Sequence, residues 1–255
     1  MEVLDRDVAG FLLAMARFAP LLMVPALGPF AWVPGTVRVI VLVALSLTAV
    51  GTLNAATVST VTLDSPLLFG LALAGESLVG LTFSLAVFLP MAALGFAARM
   101  LDMQSGLAAA SLLNPSTHTT ESLFGTVIQW AGMMAFFALG LHLILLRGLV
   151  ASINLVPLGS GRVVMAPAAF LGLLSTQFLL GLMVVLPVVL GLFAIDLGTA
   201  YASRSMPQAN IYFVALPLKV MAGFALLAAT LRFAPPLIDR LFRGVLSALP
   251  MVAVR

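Results

Sequence analysis

A long apolar stretch in the first half of the chain runs from residue 67 to residue 98 and reads LLFGLALAGESLVGLTFSLAVFLPMAALGFAA. It contains one charged side chain, Glu76, and one proline, Pro90. A helix needs about 20 mostly apolar residues to cross a bilayer. This stretch is therefore long enough to form a membrane helix, with a potential bend at the proline.

Five further apolar stretches flank this one, and several contain prolines that remove a backbone donor. In lipid, bent helices persist only where neighbouring helices or a cavity satisfy the freed carbonyl groups. The pattern predicts an all-α integral membrane protein, a single membrane domain (1–255) of kinked helical hairpins that packs against much protein. The predicted hydrophobic segments are 11–33, 39–53, 67–98, 123–146, 163–195 and 212–231, with a polar connection at 99–121 and a C-terminal tail at 232–255.

Composition excludes several classes of protein. Hydrophobic residues make up 62% of the chain and charged residues 8%, whereas ordinary soluble domains are about 25% charged. Cysteine is absent, and the two histidines, His118 and His142, are too far apart for a helical metal motif. The sequence also contains no nucleotide-binding loop and no Ser-His-Asp arrangement. We expect no enzymatic activity, no cofactor, no bound metal and no nucleic-acid partner.

The ends of the chain bear on its topology. Residues 1–7 read MEVLDRD and are too acidic for the basic start of a signal peptide, so we expect the N-terminal segment to be retained. If six segments span, the tail 232–255 and the connections on its side hold most of the basic residues. The positive-inside rule then favours a cytoplasmic C-terminus.

Three charged residues lie in or beside apolar stretches: Arg17, Glu76 and Lys219. A charge at the bilayer centre costs about 2.5–3.5 kcal/mol on insertion scales, so such residues pair, face protein or serve an ion pathway. We favour a structural pair, for example Arg17 with Glu76, because a proton relay usually uses several acids and only Glu76 qualifies. Asp196 is interpreted as the boundary of the fifth segment.

The polar connection at 99–121 is neither a neat helix nor an ordinary loop. Its middle, Leu107–Leu113, is small and apolar, Gly106 permits unusual backbone angles, and Asn114-Pro115 favours a turn. Two interpretations follow from the residues alone. The connection is either a pore plug or re-entrant loop, packed in protein or lining a cavity, or a simple link between helices.

The chain resembles the FliR/SctT family, the R subunits of flagellar export gates and the T subunits of virulence type III secretion systems. Four stretches in matching order carry the resemblance, and the fourth is the most specific. They are Gly75-Glu76 with Gly80; Asp102-x-Gln104-x-Gly106 with Asn114-Pro115; Gly140-x-His142 with Ser152 and Val156-Pro157-x-Gly159; and Arg204-x-x-Pro207-Gln208-x-Asn210 with Leu216-Pro217-Leu218-Lys219.

The resemblance implies a channel-forming subunit of the flagellar type III protein export gate, needed for export of flagellar proteins and for flagellum assembly. It implies the P and Q gate subunits, the B and A subunits of the apparatus, unfolded flagellar proteins in transit and membrane lipid as partners. The implied location is the bacterial inner membrane at the flagellar basal body. The alternatives are a T subunit of a virulence system and, further off, a stand-alone small-solute or proton-coupled transporter.

The resemblance also favours the plug over the simple link. Asn114 stands where the family commonly has Asp, which removes a charge from that position. The expected plug residues are Gly106, Leu107, Ala108, Ala109, Ala110, Ser111, Leu112, Leu113, Asn114 and Pro115. The expected structural or subunit-contact residues are Glu76, Asp102, Gln104, Arg204, Pro207, Gln208, Asn210 and Lys219.

Overall fold

The fold is described from a computed structural model, which covers residues 2–24, 30, 33–52, 65–107, 123–160, 167–206 and 211–253. Eight α-helices carry these residues and confirm the all-α prediction. They are α1 (Glu2–Met23), α2 (Gly35–Thr52), α3 (Pro66–Ser105), α4 (Leu123–Ala138), α5 (Leu141–Leu155), α6 (Pro167–Ser205), α7 (Ile211–Leu231) and α8 (Pro235–Ala253).

Prolines set several helix starts. Pro66, Pro167 and Pro235 are the first residues of α3, α6 and α8. Proline suits this position because its fixed φ is helical and the first turn needs no N–H from it. Pro90 and Pro187 lie inside the two longest helices, α3 and α6, which continue past them.

Several boundaries differ from the apolar segments of the sequence. α1 covers Glu2–Met23 and not 11–33, α6 continues to Ser205 past the predicted end at 195, and α8 lies in the predicted tail 232–255. The first part of the polar connection is helical, because α3 continues to Ser105 with Leu101 fully buried. The apolar segment 123–146 divides into α4 and α5 around Gly140, whose φ of 67° lies in the left-handed region. Glycine enters that region without steric cost, so the break falls there.

Three of the described helices are long and apolar enough to cross a membrane, at Pro66–Ser105, Phe170–Ser205 and Phe213–Leu231. A fourth is added if α4 and α5 together form one broken span. Within α6 and α7 the most apolar windows are only 28% and 17% buried by the chain itself. Their outward faces therefore require lipid or other protein as a cover.

The chain divides into two compact units, each with its own core. Unit 1 comprises residues 1–89, 140–173 and 243–255; in it α1 packs on α2, and Leu13, Phe18 and Leu149 are fully buried. Unit 2 comprises residues 90–139 and 174–242. Its core includes Phe124, which stacks on Phe224 with ring centroids 4.6 Å apart.

Candidate functional site

The most deeply buried charges of unit 1 form what we call the Arg17 cluster: Arg17, Glu76, Ser152, Val156 and Gly159. The Arg17 side chain is fully buried, and its Nε donates to Glu76 Oε2 at 2.5 Å. Its Nη1 donates to Ser152 Oγ at 3.3 Å, and its Nη2 donates to the Val156 carbonyl at 2.9 Å. The other carboxylate oxygen, Glu76 Oε1, accepts from the Gly159 backbone N–H at 2.7 Å.

This arrangement gives each end of the ion pair additional partners. A buried ion pair offsets its desolvation cost only when further hydrogen bonds satisfy the remaining donors and lone pairs. Here the cluster ties α1 and α3 to the end of α5 and to the turn that follows, where Gly159 has a φ of 82°. The Arg17–Glu76 pair that we expected from the sequence is thus present, and its geometry suits a fixed structural joint.

Gly80 provides the room for this joint. A Cβ atom built on Gly80 would lie 2.0 Å from the Arg17 carbonyl oxygen, which is far inside van der Waals contact. Only glycine therefore allows α3 to approach the backbone of α1 closely enough for Arg17 to reach Glu76, one turn away on α3.

The charged group of unit 2, which we call the Asp196 cluster, consists of Gln104, Asp196 and Lys219. Lys219 Nζ forms an ion pair with Asp196 Oδ1 and lies 3.4 Å from the Gln104 carbonyl oxygen. Gln104 Nε2 donates to Asp196 Oδ2 at 2.9 Å. The cluster joins α3, α6 and α7, and unlike the Arg17 cluster it is partly exposed, with 16% of the Lys219 and 33% of the Asp196 side chain accessible.

Two further contacts lie at the same end of α3. The Asp102 carboxylate, which is buried, accepts from the Phe124 backbone N–H at 3.2 Å and so caps the first turn of α4. Gly106 follows the last residue of α3 with a φ of 83°, and a Cβ there would lie 3.1 Å from Leu216 of α7. The end of α3 and the start of α4 therefore lie close together.

The structure brings together some of the residues predicted from the sequence. Glu76 lies in the Arg17 cluster, and Gln104 and Lys219 lie in the Asp196 cluster. Asp102 is on the same helix as Gln104, two residues before it. Arg204 lies in the last turn of α6 and is exposed. Residues 108–115 of the predicted plug, together with Pro207, Gln208 and Asn210, fall outside the described residues.

Sequence reasoning missed the role of Asp196. We interpreted it as the boundary of the fifth apolar segment, but the helix continues past it to Ser205 and the side chain forms an ion pair with Lys219. One signal was available: an isolated carboxylate in an apolar run needs a cation, and Lys219 is the charged residue of the next apolar segment. The acceptors Ser152 and Val156 carry no such signal, since neither is charged.

These features define an all-α membrane protein in which five charged residues join helices to one another: Arg17, Glu76, Asp102, Asp196 and Lys219. In the described part of the chain no group of His, Asp and Glu side chains could hold a metal ion. A model of the family described as "Bacterial export proteins, family 1" matches residues 8–245. The chain belongs to this family.

Individual relatives agree with the family. The chain is 29% identical over 208 residues to flagellar biosynthetic protein FliR of Aquifex aeolicus, covering 81% of the chain and 79% of that relative. It is 28% identical to the FliR of Bacillus subtilis, of which it spans 60%. It is 30% identical over 151 residues, 56% of each chain, to Yop proteins translocation protein T of Yersinia pestis. Both names belong to the family that the sequence motifs resemble, so the resemblance is confirmed.

Proposed function

We propose that this chain is a channel-forming subunit of the flagellar type III protein export gate, needed for export of flagellar proteins and for flagellum assembly. The observation that carries the proposal is the family match over residues 8–245, together with relatives named flagellar biosynthetic protein FliR. The 30% identity to Yop proteins translocation protein T makes a virulence secretion gate the second candidate.

The proposed setting is the bacterial inner membrane at the flagellar basal body, beside the P, Q, B and A subunits. The outward faces of α6 and α7 support a multi-subunit setting, because most of their apolar surface is left uncovered by the chain. The part-exposed charges of Asp196 and Lys219 support protein neighbours over lipid alone, since charges facing hydrocarbon are costly.

Co-purification and complementation test the export role. An affinity-tagged chain, extracted from its native membranes in mild detergent, should bring the P and Q subunits with it in a fixed ratio. Deletion of its gene should abolish secretion of hook and filament proteins, and the intact chain should restore it. Secretion of needle proteins with normal flagella would select the virulence gate instead. A chain that purifies alone and moves a small solute in pure lipid vesicles would overturn both.

We propose further that residues 106–120 plug the closed channel. Support comes from the described residues at both ends, where Gly106 packs at Leu216 and the Asp102 carboxylate holds the start of α4. These contacts hold the end of α3 close to the start of α4. The segment between them could therefore move while the two helices stay in place. Small apolar side chains such as those of Ala108–Ala110 would seal a narrow passage through few strong contacts, so a passing polypeptide could displace them.

Replacing residues 108–120 with a Gly/Ser linker of equal length tests the plug. Gly106 and Asp102 are kept, so the helices should assemble with their partners as before. The membrane should then leak small ions and solutes in proportion to the amount of assembled gate. The same replacement over residues 53–64, a connection on another part of the chain, is the matched control and should not leak. Equal permeability of the two variants would contradict the plug.

Glu76 tests the transporter alternative. In the structure both of its carboxylate oxygens are engaged, by Arg17 and by the Gly159 N–H, so we expect it to hold the fold. In a Glu76→Gln variant export should fall only as far as the amount of assembled protein falls. Loss of transport with full assembly would favour proton coupling instead.

A further inference from the structure

One side of α6 is left bare by the chain. From Leu179 onward, exposed apolar side chains recur at intervals of four and three positions, which keeps them on one face of the helix. Each of them is about half accessible, between 48% and 58%, and all of them belong to unit 2. We call this surface the α6 stripe; its members are Leu179, Met183, Leu186, Leu190, Phe193 and Leu197.

The α6 stripe has the length of a bilayer core. Tyr201 is the next exposed residue on the same face, and the helix rises about 33 Å from Leu179 to Tyr201. The hydrocarbon core of a bilayer is about 30 Å thick. Polar residues continue this face at both ends, with the exposed Ser175 one turn before Leu179 and the exposed Arg204 about one turn after Tyr201. Tyrosine and basic residues are typical of the headgroup level at the end of a membrane span.

The sides of α6 that contact other helices have a different composition. A Cβ atom built on Gly181 would lie 2.9 Å from the Ala93 carbonyl oxygen of α3, and one built on Gly191 would collide with the Leu226 side chain of α7. Small residues let helix backbones approach closely, and interfaces between membrane helices are enriched in them. The α6 stripe consists of large side chains alone, so it lacks the feature through which α6 contacts α3 and α7.

The charge in this part of α6 lies on another side of the helix. Asp196 is the only charged residue between positions 179 and 201 of the sequence. It lies roughly 100° around the helix from the middle of the α6 stripe, and it pairs with Lys219 of α7. A charge that faces hydrocarbon is costly, so an uncharged stripe suits lipid. The Asp196 side of α6 and the bare face of α7 remain available to protein neighbours.

We propose that the α6 stripe lies against the acyl chains of membrane phospholipids, with Tyr201 and Arg204 at the level of one layer of headgroups. A helix of a partner subunit is the other apolar cover to consider. Lipid is favoured because the stripe matches the bilayer core in length and contains no small residue. Arg204 adds complementary charge, since a guanidinium group suits phosphate oxygens. The proposal concerns the membrane face of α6 and does not depend on the export role.

Spin labels on α6 test the proposal. The chain contains no cysteine, so single cysteines at the six stripe positions can each carry a nitroxide. The full chain is purified with the subunits that accompany it and returned to phospholipid bilayers. Oxygen, which dissolves in hydrocarbon, should relax the label at Leu190 severalfold more than a label at Leu192, which is fully buried. The depth measured against a water-soluble nickel chelate should be greatest near Leu190 and should fall toward Leu179 and Tyr201.

Two results would overturn the lipid assignment. Labels shielded from both oxygen and the nickel chelate along the stripe would show a covering helix, and access of the chelate to Leu190 would show a water-filled passage. If the label at Leu192 prevents folding, the depth profile along the stripe decides alone. The accompanying subunits are identified in the same preparation, so the lipid assignment can fail while the export proposal stands.

Shortened side chains give a second measurement in the same bilayers. Leu190→Ala should leave the thermal stability of the complex nearly unchanged, because acyl chains fill the space that the side chain leaves. Leu192→Ala is the matched control and should lower the stability clearly, since it opens a cavity in a packed core. A Leu190→Ala variant as unstable as Leu192→Ala would contradict the contact with lipid.

Discussion

The Arg17 cluster and the Asp196 cluster use the same chemistry in opposite surroundings. Each pairs one cation with one carboxylate and adds contacts from a neighbouring helix. In the Arg17 cluster the two side chains are 0% and 2% accessible, whereas in the Asp196 cluster they are 16% and 33% accessible. A buried pair cannot be opened without leaving a charge in an apolar core, but an exposed one can exchange its partner for water or for another protein.

The comparison indicates that the buried Arg17 cluster is a permanent contact between helices, whereas the partly exposed Asp196 cluster can open. The Arg17 cluster holds α1, α3 and the end of α5 in one register. The Asp196 cluster holds the end of α3, directly before the proposed plug. The proposed export gate would need both: helices that keep their arrangement, and a contact beside the proposed plug that opens at low cost. Four substitutions test this difference, from the largest expected effect to the smallest.

Arg17→Met should have the largest effect. It leaves the Glu76 carboxylate buried without its cation, and breaking one side of a buried pair costs about 3–5 kcal/mol. Equilibrium unfolding in detergent micelles would measure the loss. Met in place of the exposed Arg99 is the matched control and should change stability by less than about 0.5 kcal/mol. Equal effects at the two positions would show that the cluster does not hold the frame.

Gly80→Ala should come next. The added methyl group would collide with the Arg17 carbonyl, so α1 and α3 must move apart, and overpacking of this kind costs about 1–3 kcal/mol. Gly70 lies on the same helix with open space around it, and Ala there should be neutral or slightly stabilising. The same unfolding measurement applies, and a Gly80→Ala variant as stable as Gly70→Ala would contradict the close approach.

Asp102→Ala removes the cap of α4. The loss of a capping carboxylate costs about 0.5–2 kcal/mol, and Asn, which keeps the accepting oxygen, should recover most of it. Hydrogen exchange of the Phe124 amide is the direct readout, because its bond to Asp102 is the contact removed. Slow exchange that persists in the Ala variant would show that another group protects this amide.

Asp196→Asn should have the smallest effect on stability, about 1 kcal/mol or less, because the pair is partly exposed. Its effect on the closed gate should be larger than its effect on the fold, since it frees the end of α3. Ion leak through assembled gates measures this, and exchanging the two charges (Asp196→Lys with Lys219→Asp) should reduce the leak again. A stability loss as large as that of Arg17→Met would remove the distinction between the clusters.

The sequence predicted the fold and one cluster, for physical reasons that differ. Several apolar stretches are long enough to cross a bilayer, where backbone polar groups must be satisfied within the segment, so helices were expected there. The structure has helices in these stretches. Arg17 and Glu76 could be paired in advance because each is an isolated charge in an apolar run. The division of the segment 123–146 was not predicted, because Gly140 permits a left-handed residue without requiring one.

The Asp196 cluster shows where the residues alone were insufficient. Gln104 is 92 positions from Asp196 in sequence, and neither its polarity nor its spacing indicates that contact. The helical state of residues 99–105 was hidden by Arg99, Asp102 and Gln104, whose polarity suggested a loop, although Leu101 between them is fully buried. Packing across helices decided both features.

The Arg17 cluster also constrains how the protein is made. Arg17 leaves the ribosome 59 residues before Glu76, and at about 5–20 residues per second that interval lasts roughly 3–12 s. The Val156 carbonyl, which accepts from the same guanidinium, follows Arg17 by 139 positions. Until Glu76 has been made, Arg17 lacks the carboxylate that it pairs with in the fold, and a lone charge at the bilayer centre costs about 2.5–3.5 kcal/mol on insertion scales. We therefore expect α1 to reach its final position only after α3 has been synthesised.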